Sequence, residues 1–311
     1  MHLQGRWQSL EYLLNRSGNI VGPGFEPGPE LLDFLRNDCR VLVVGAGGLG
    51  CELLKDLALS GFGNIDVIDM DTIDITNLNR QFLFRPEDVG KSKAHVAAER
   101  IMGRVKGVTV TAHHGMIQDK DLEFYQQFHL IVLGLDSLEA RRYMNTVACS
   151  FLEFEEDGSP ILSSIKPIID GGTEGFKGHA RVLIPGVTPC FECTLWLFPP
   201  QTKYPLCTLA ETPRSAPHCI EYAKLILWPK HWPDVEFDAD VEEHMQWVYK
   251  AALRRAQEYG IPGVTYQLTQ GVVKNIIPAI ASTNALVAAS CALEALKLVT
   301  LCSSGLSNYA M

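Results

Sequence analysis

The sequence predicts an α/β fold: a mostly parallel sheet with helices on both faces, interrupted by a small, mainly helical insertion. Three observations lead there. The stretch "CRVLVVGAGGLGCELLKDLALSGFGNIDVIDMD" reads as a β-branched run, a glycine turn, an amphipathic helix over about Leu49 to Ser60, and a second strand ending at Asp69. Strand-like and helix-like patterns keep alternating beyond it, which calls for parallel strands covered on both sides. From Lys203 to about Gly263 the alternation stops, and prolines at 205, 213, 217, 229, 233 and 262 with the acidic run "DVEFDADVEE" mark an insertion.

The remaining elements follow in order. A helix is predicted from about Ser92 to Met102, a strand around Val108 to Ala112, an apolar strand "LIVLGLDS" that stops at Asp136, and a helix over "LEARRYMNTVACSFLEF". After the insertion comes the long apolar stretch "NIIPAIASTNALVAASCALEALKLVTL" from Asn275. Pro278, Asn284, Glu294 and Lys297 interrupt it, so a buried helix is expected rather than a membrane span. The expected organisation is residues 1–202 as the first part of one domain, 203–263 as the inserted subdomain, and 264–311 as the return to the first domain.

Composition narrows the function. The chain has 311 residues, 47% hydrophobic and 20% charged, which fits a globular chain with a sizeable core. A formal net charge of −9 argues against nucleic acid or an anionic membrane as the main partner, since both reward a basic face. The N-terminal "MHLQGRWQSLEYLLNRSG" lacks the apolar core of a signal peptide, so the cytoplasm and nucleus are the expected locations. In that setting the nine cysteines are thiols, metal ligands or nucleophiles rather than a disulfide framework.

The first chemical signal is "VVGAGGLG". Gly45, Gly47 and Gly50, with Gly48 between them, give the G-x-G-x-x-G spacing between a strand and a helix, where backbone can approach phosphates at a helix N-terminus. Asp69 stands 19 residues beyond Gly50, at the end of the next strand, where an acid can accept hydrogen bonds from ribose hydroxyls. These residues do not separate NAD from ATP. Asn77, Arg80 and Lys93 follow immediately; cations gathered there suit nucleotidyl transfer, which must neutralise a departing pyrophosphate. Asp136 is placed to hold Mg²⁺. Each of these residues could instead be a surface ion pair or a helix cap. Cys207, in "KYPLCTLAETPR", reads first as a packed small hydrophobe, and nothing local overturns that in favour of a nucleophile.

Five segments carry a more specific resemblance: "VLVVGAGGLGCELLKDLALSGF", "IDMDTIDITNLNRQFLFRPEDVGKSKA", "IDGGTEGFKGHARVLIPGVTPCFECTL", "PLCTLAETPRSAPHCIEYAKLILWPK" and "GVTYQLTQGVVKNIIPAIASTNA". They resemble the activating enzymes of ubiquitin and ubiquitin-like proteins, those of the neddylation (Rub) pathway above all, from about Gly5 to Asn308. The resemblance implies the Rossmann-like adenylation fold of the ThiF/MoeB type, with a catalytic-cysteine insertion. It implies MgATP as substrate, a modifier whose C-terminal carboxylate is adenylated, and Cys207 as the nucleophile that takes the modifier as a thioester. Asp69 would hold ribose, Asn77, Arg80 and Lys93 the phosphates, and Asp136 the Mg²⁺, with Asp71 a second candidate. An arginine matching Arg181 disfavours modifiers that carry arginine near the tail. Thr208 and Arg214 could orient or polarise the thiol.

"CFEC" places Cys190 and Cys193 as half of a zinc site; the resemblance implies a second CxxC pair, and the other cysteines at 39, 51, 149, 207, 219, 291 and 302 are isolated. The family's C-terminal ubiquitin-fold domain, which recruits the conjugating enzyme, is expected to be absent. The resemblance further implies a separate regulatory subunit with the same adenylation fold and a heterodimer. Two other readings remain at this point: an adenylyltransferase for a sulfur-carrier protein, and a truncated, non-catalytic partner subunit.

Overall fold

The computed structural model describes residues 5–198, 213, 215–274 and 280–311. Two short helices, α1 (Gln8–Leu14) and α2 (Pro29–Asp33), lead into strand β1 (Arg40–Val44). Along β1 the side chains alternate between two cores: Val41 and Val43 enter one, Leu42 and Val44 the other. A strand buried on both faces is what an uninterrupted aliphatic run in a parallel sheet requires. Strands β2 (Asn64–Asp69), β3 (Thr109–His114), β4 (Leu130–Leu133) and β5 (Ile168–Glu174) complete the parallel part, in the spatial order β3-β2-β1-β4-β5. Strands β6 (Lys177–Leu183) and β7 (Tyr309–Ala310) then add antiparallel, so the sheet is mixed.

Helices α3 (Gly48–Leu59) and α4 (Lys93–Arg104) cover one face and α6 (Leu138–Ser150) the other, with the short α5 (Leu122–Gln126) before β4. The α6 helix starts where Ser137 caps it, its hydroxyl accepting from the Ala140 amide at 3.3 Å. Two boundaries differ from the sequence reading. Strand β4 ends at Leu133, because its pairing with β1 and β5 stops there; Asp136 therefore lies beyond the strand. Helix α6 ends at Ser150, short of the expected 154.

The chain divides into two units, Met1–Phe198 with Ala279–Met311, and Pro199–Pro278. The second unit has its own core, in which α7 (Ala216–Tyr222), α8 (Trp228–His231), α9 (Glu242–Glu258) and α10 (Tyr266–Val273) bury Ile220, Trp228, Met245, Val248, Ala252 and Val273. The insertion is expected over 203–263; the second unit spans 199–278, and α10 packs on α7 and α9 within it.

Helix α11 (Ala281–Thr300) returns the chain to the first unit and packs on α3, β5 and β6. By length and composition it could cross a membrane, yet Val287, Ala288, Cys291 and Ala295 are buried in the core shared with α3. Its Glu294 is fully buried and accepts from Lys297 Nζ at 2.6 Å, the Ser307 amide at 2.9 Å and the Tyr309 hydroxyl at 2.9 Å. A carboxylate so deep persists only with such partners. Replacing Glu294 by Ala strands a buried lysine and frees β7, so urea unfolding should show a loss of about 3 kcal/mol. A loss below about 1 kcal/mol would show that this anchor contributes little.

Candidate nucleotide site

The site begins where β1 stops. Gly45 takes φ +98, a left-handed conformation that side chains rarely adopt, and its amide donates to the Ile68 carbonyl at 2.8 Å. The first turn of α3 then folds down onto this loop so closely that a Cβ on Gly50 would lie 2.0 Å from the Gly45 carbonyl oxygen. Glycine at both positions is thus a packing requirement. Asp69, at the end of β2, accepts from the Ala46 amide at 2.6 Å and from the Asp71 amide at 2.7 Å. Burial pushes its pKa up from the usual carboxylate value, against the Ala46 and Asp71 amides and Lys93, which pull it down. Each carboxylate oxygen has two lone pairs, so both retain acceptor capacity for ribose hydroxyls.

Two residues missed in the sequence border the same turn. Gln81 and Asn284 are 3% and 1% exposed, and Gln81 Oε1 and Asn284 Nδ2 have no partner among the described residues. A Cβ on Gly48 would meet Asn284 Nδ2 at 2.5 Å, and one on Gly47 would lie 4.0 Å from Gln81 Nε2. Orphaned polar atoms are uncommon in buried sites. Here they lie beside the glycine turn, which fits a polar ligand such as a nucleotide. The sequence signal was the polar interruption at Asn284 in an otherwise apolar helix.

The other predicted residues are brought together only in part. Lys93, nearly buried at the start of α4, pairs with the exposed Asp71 carboxylate at 2.7 Å. Asp71 is thus engaged by a cation. The Asn77 side chain accepts from the Asp74 amide at 2.9 Å, closing its own turn. Arg80 donates to the Thr76 carbonyl and the Asn79 side chain, both at 3.0 Å, so its guanidinium serves the local loop while its carbonyl borders Gly48. Asp136 is exposed in the turn between β4 and α6, and no ion pair reaches it among the described residues.

Arg181 lies on β6, 9% exposed, and donates to Thr194 Oγ1 at 2.6 Å. Its guanidinium stands 5.8 Å from the Phe191 ring and 5.6 Å from the Phe198 ring. Burial pushes its pKa down, with Asp170 acting against that shift. Cys207, Thr208 and Arg214 lie outside the described residues.

Cys190 and Cys193 bring their sulfurs to 3.6 Å, close to the roughly 3.8 Å of two thiolates on one tetrahedral zinc. The pair fits half of such a site. Among the described residues, no group of three or more His, Cys, Asp or Glu is arranged to hold a metal. Burial acts to raise the Cys190 pKa, but hydrogen bonds from Cys193 and Asn145 outweigh it and bring the thiol below its ordinary value. Burial pushes Cys39 and Cys51 up to about 12. Brief alkylation near neutral pH should therefore label Cys190, and by its exposure Cys193, well before the buried Cys39 and Cys51, as read by peptide mass spectrometry. Equal labelling of all four would contradict this ordering.

Comparison with known proteins places the chain in a family. The ThiF family matches residues 26–310. The NEDD8-activating enzyme E1 catalytic subunit of Arabidopsis thaliana is 66% identical over 306 residues, covering 98% of this chain and 67% of that protein. The protein of the same description from Drosophila melanogaster is 59% identical over 305 residues, covering 98% and 68%. The chain thus spans about two-thirds of the length of these relatives. Among solved structures, E. coli MccB with ATP aligns with a TM-score of 0.51 at 20% identity, over 90% of this chain and 65% of that one, which shows a shared fold. The chain therefore belongs to the ThiF family, among the catalytic subunits of NEDD8-activating E1 enzymes.

Proposed function

We propose that this chain activates a NEDD8-type modifier with ATP. The observation that carries the reading is the bond from the Ala46 amide to Asp69, which joins the ribose acceptor to the phosphate-facing glycine turn within a chain 66% identical to a NEDD8-activating catalytic subunit. The modifier's C-terminal carboxylate oxygen attacks the α-phosphorus of ATP, and the bond to pyrophosphate breaks. The Cys207 thiolate then attacks the acyl carbon and AMP departs with its phosphate oxygen. AMP is a good leaving group and a thiol is already partly ionised near neutral pH, so the second step needs no strong dedicated base. From Cys207 the modifier passes to a cysteine of a conjugating enzyme.

Lys93, Arg80 and Asn77 serve the phosphates, at the cost of their present bonds to Asp71 and within the 74–80 loop. Mg²⁺ held by Asp136, with Asp71 as a second carboxylate, would offset charge on the triphosphate. Arg181, largely buried on β6, is proposed to disfavour a modifier with arginine near the tail by like-charge rejection. The proposed partner is a regulatory subunit of the same adenylation fold, in a heterodimer. Cys190 and Cys193 are proposed as two ligands of a zinc site.

The test is modifier-dependent ATP–pyrophosphate exchange by the chain co-expressed with that subunit, followed by a non-reducing gel. Cys207→Ala should leave exchange within about twofold of wild type and remove the reducible adduct. Lys93→Ala should lower exchange by about 10²-fold, a typical loss for one charge-stabilising donor. NAD binding without exchange would overturn the reading. For selectivity, Arg181→Gln should raise activation of a modifier bearing the tail arginine by about tenfold or more, and unchanged discrimination would remove Arg181 from that role.

A further inference from the structure

Beyond β4 the chain must turn sharply to reach α6, and the residues of that turn have left the sheet ladder. Their backbone groups need other partners. The amide of Gly134 still reaches the Val44 carbonyl, at 2.8 Å. The carbonyl of Leu135, the residue before Asp136, is taken by Arg141 Nη2 at 2.5 Å. That nitrogen also donates to the Gly171 carbonyl at 3.0 Å, and Nε donates to Asp170 Oδ1 at 2.8 Å. Arg141 is 5% exposed and Asp170 fully buried, with the other Asp170 oxygen 3.1 Å from His179 Nε2.

We infer that Arg141, oriented by Asp170, is a positioning residue for Asp136, fixing the turn from which that carboxylate meets the metal ion. The inference rests on the proposed assignment of Asp136 to Mg²⁺. A buried ion pair is weak as a device for stability alone, since apolar groups of similar volume often do as well. What an arginine adds is a planar fork that binds a carboxylate and two carbonyls at fixed angles, which an ammonium does not reproduce. Here the fork ties the Leu135 carbonyl to β5, and the Arg141 amide donates back to the Ser137 carbonyl at 3.3 Å, so Asp136 is held from both sides. Groups that orient metal ligands typically change affinity or activity 10–100-fold when altered.

The experiment measures the Mg²⁺ concentration for half-maximal ATP–pyrophosphate exchange by the co-expressed complex, with the thermal midpoint recorded for every variant. Arg141→Lys should raise that concentration about tenfold, while ATP binding measured in EDTA stays at the wild-type value. Asp136→Ala should raise it too, and the double variant should match Asp136→Ala alone, because a positioning residue has nothing left to position. If Arg141→Lys does not fold, Asp170→Asn supplies the test, with a shift in the same direction of about threefold or more. Folded variants that keep wild-type Mg²⁺ dependence while Asp136→Ala shifts it would overturn the inference, as would additive effects in the double variant. If Asp136→Ala leaves Mg²⁺ dependence unchanged, the assignment of Asp136 to the metal fails instead.

Discussion

The site depends on one carboxylate. Asp69 takes the amide of Ala46 from the glycine turn and the amide of Asp71 from the loop beyond β2, so a single side chain fixes two backbone segments relative to each other. Burying a carboxylate costs free energy unless its oxygens are satisfied, and two amides do that here. From Asp69 the connections continue through Asp71 to Lys93 and so to the first turn of α4. Asp69, the glycine turn and Lys93 therefore form one linked unit.

That linkage bears on how a charged substrate enters. Lys93 is nearly buried and would be costly with no counter-charge, but Asp71 supplies one. In the proposed role, a triphosphate at Lys93 would replace one anion by another, leaving the lysine neutralised before and after. The displaced Asp71 carboxylate is half exposed and returns to water at little cost. Under the same proposal, Arg80 and Asn77 would exchange internal bonds for substrate bonds. Such a site is preorganised by partners of its own, and its cations discriminate by how well the incoming oxygens match the bonds given up.

The glycine turn, Asp69 and the helices that flank them were legible in the sequence because their signals are local: a spacing of glycines and an acid at a strand end. The end of β4 was misread because the apolar residues run on as Leu133-Gly134-Leu135, while the ladder stops where β1 and β5 stop offering partners. Likewise the apolar pattern of α10 looks the same whichever core receives it, so the sequence does not assign it to the second unit. Gln81 and the Arg141–Asp170 pair carry no such local signal, and Asn284 shows only as a polar break in an apolar helix. Their placement comes from approaches across long stretches of chain, such as Asn284 to Gly48 and Arg141 to Asp170.

The discontinuity of the first unit has a consequence for biosynthesis. Its sheet presents β1 to β6 by residue 183, but the layer that α11 supplies over α3, β5 and β6 comes from residues 281–300. During translation the apolar side of α3 must wait while the whole of 199–278 is made, an interval of several seconds or more at ordinary elongation rates. Over that interval the sheet would expose Val43, Ile169 and Ala180 without the Val287, Cys291 and Ala295 that later share their core. Until α11 emerges, that aliphatic surface of the sheet and α3 stays without its covering layer, while the second unit is continuous in sequence.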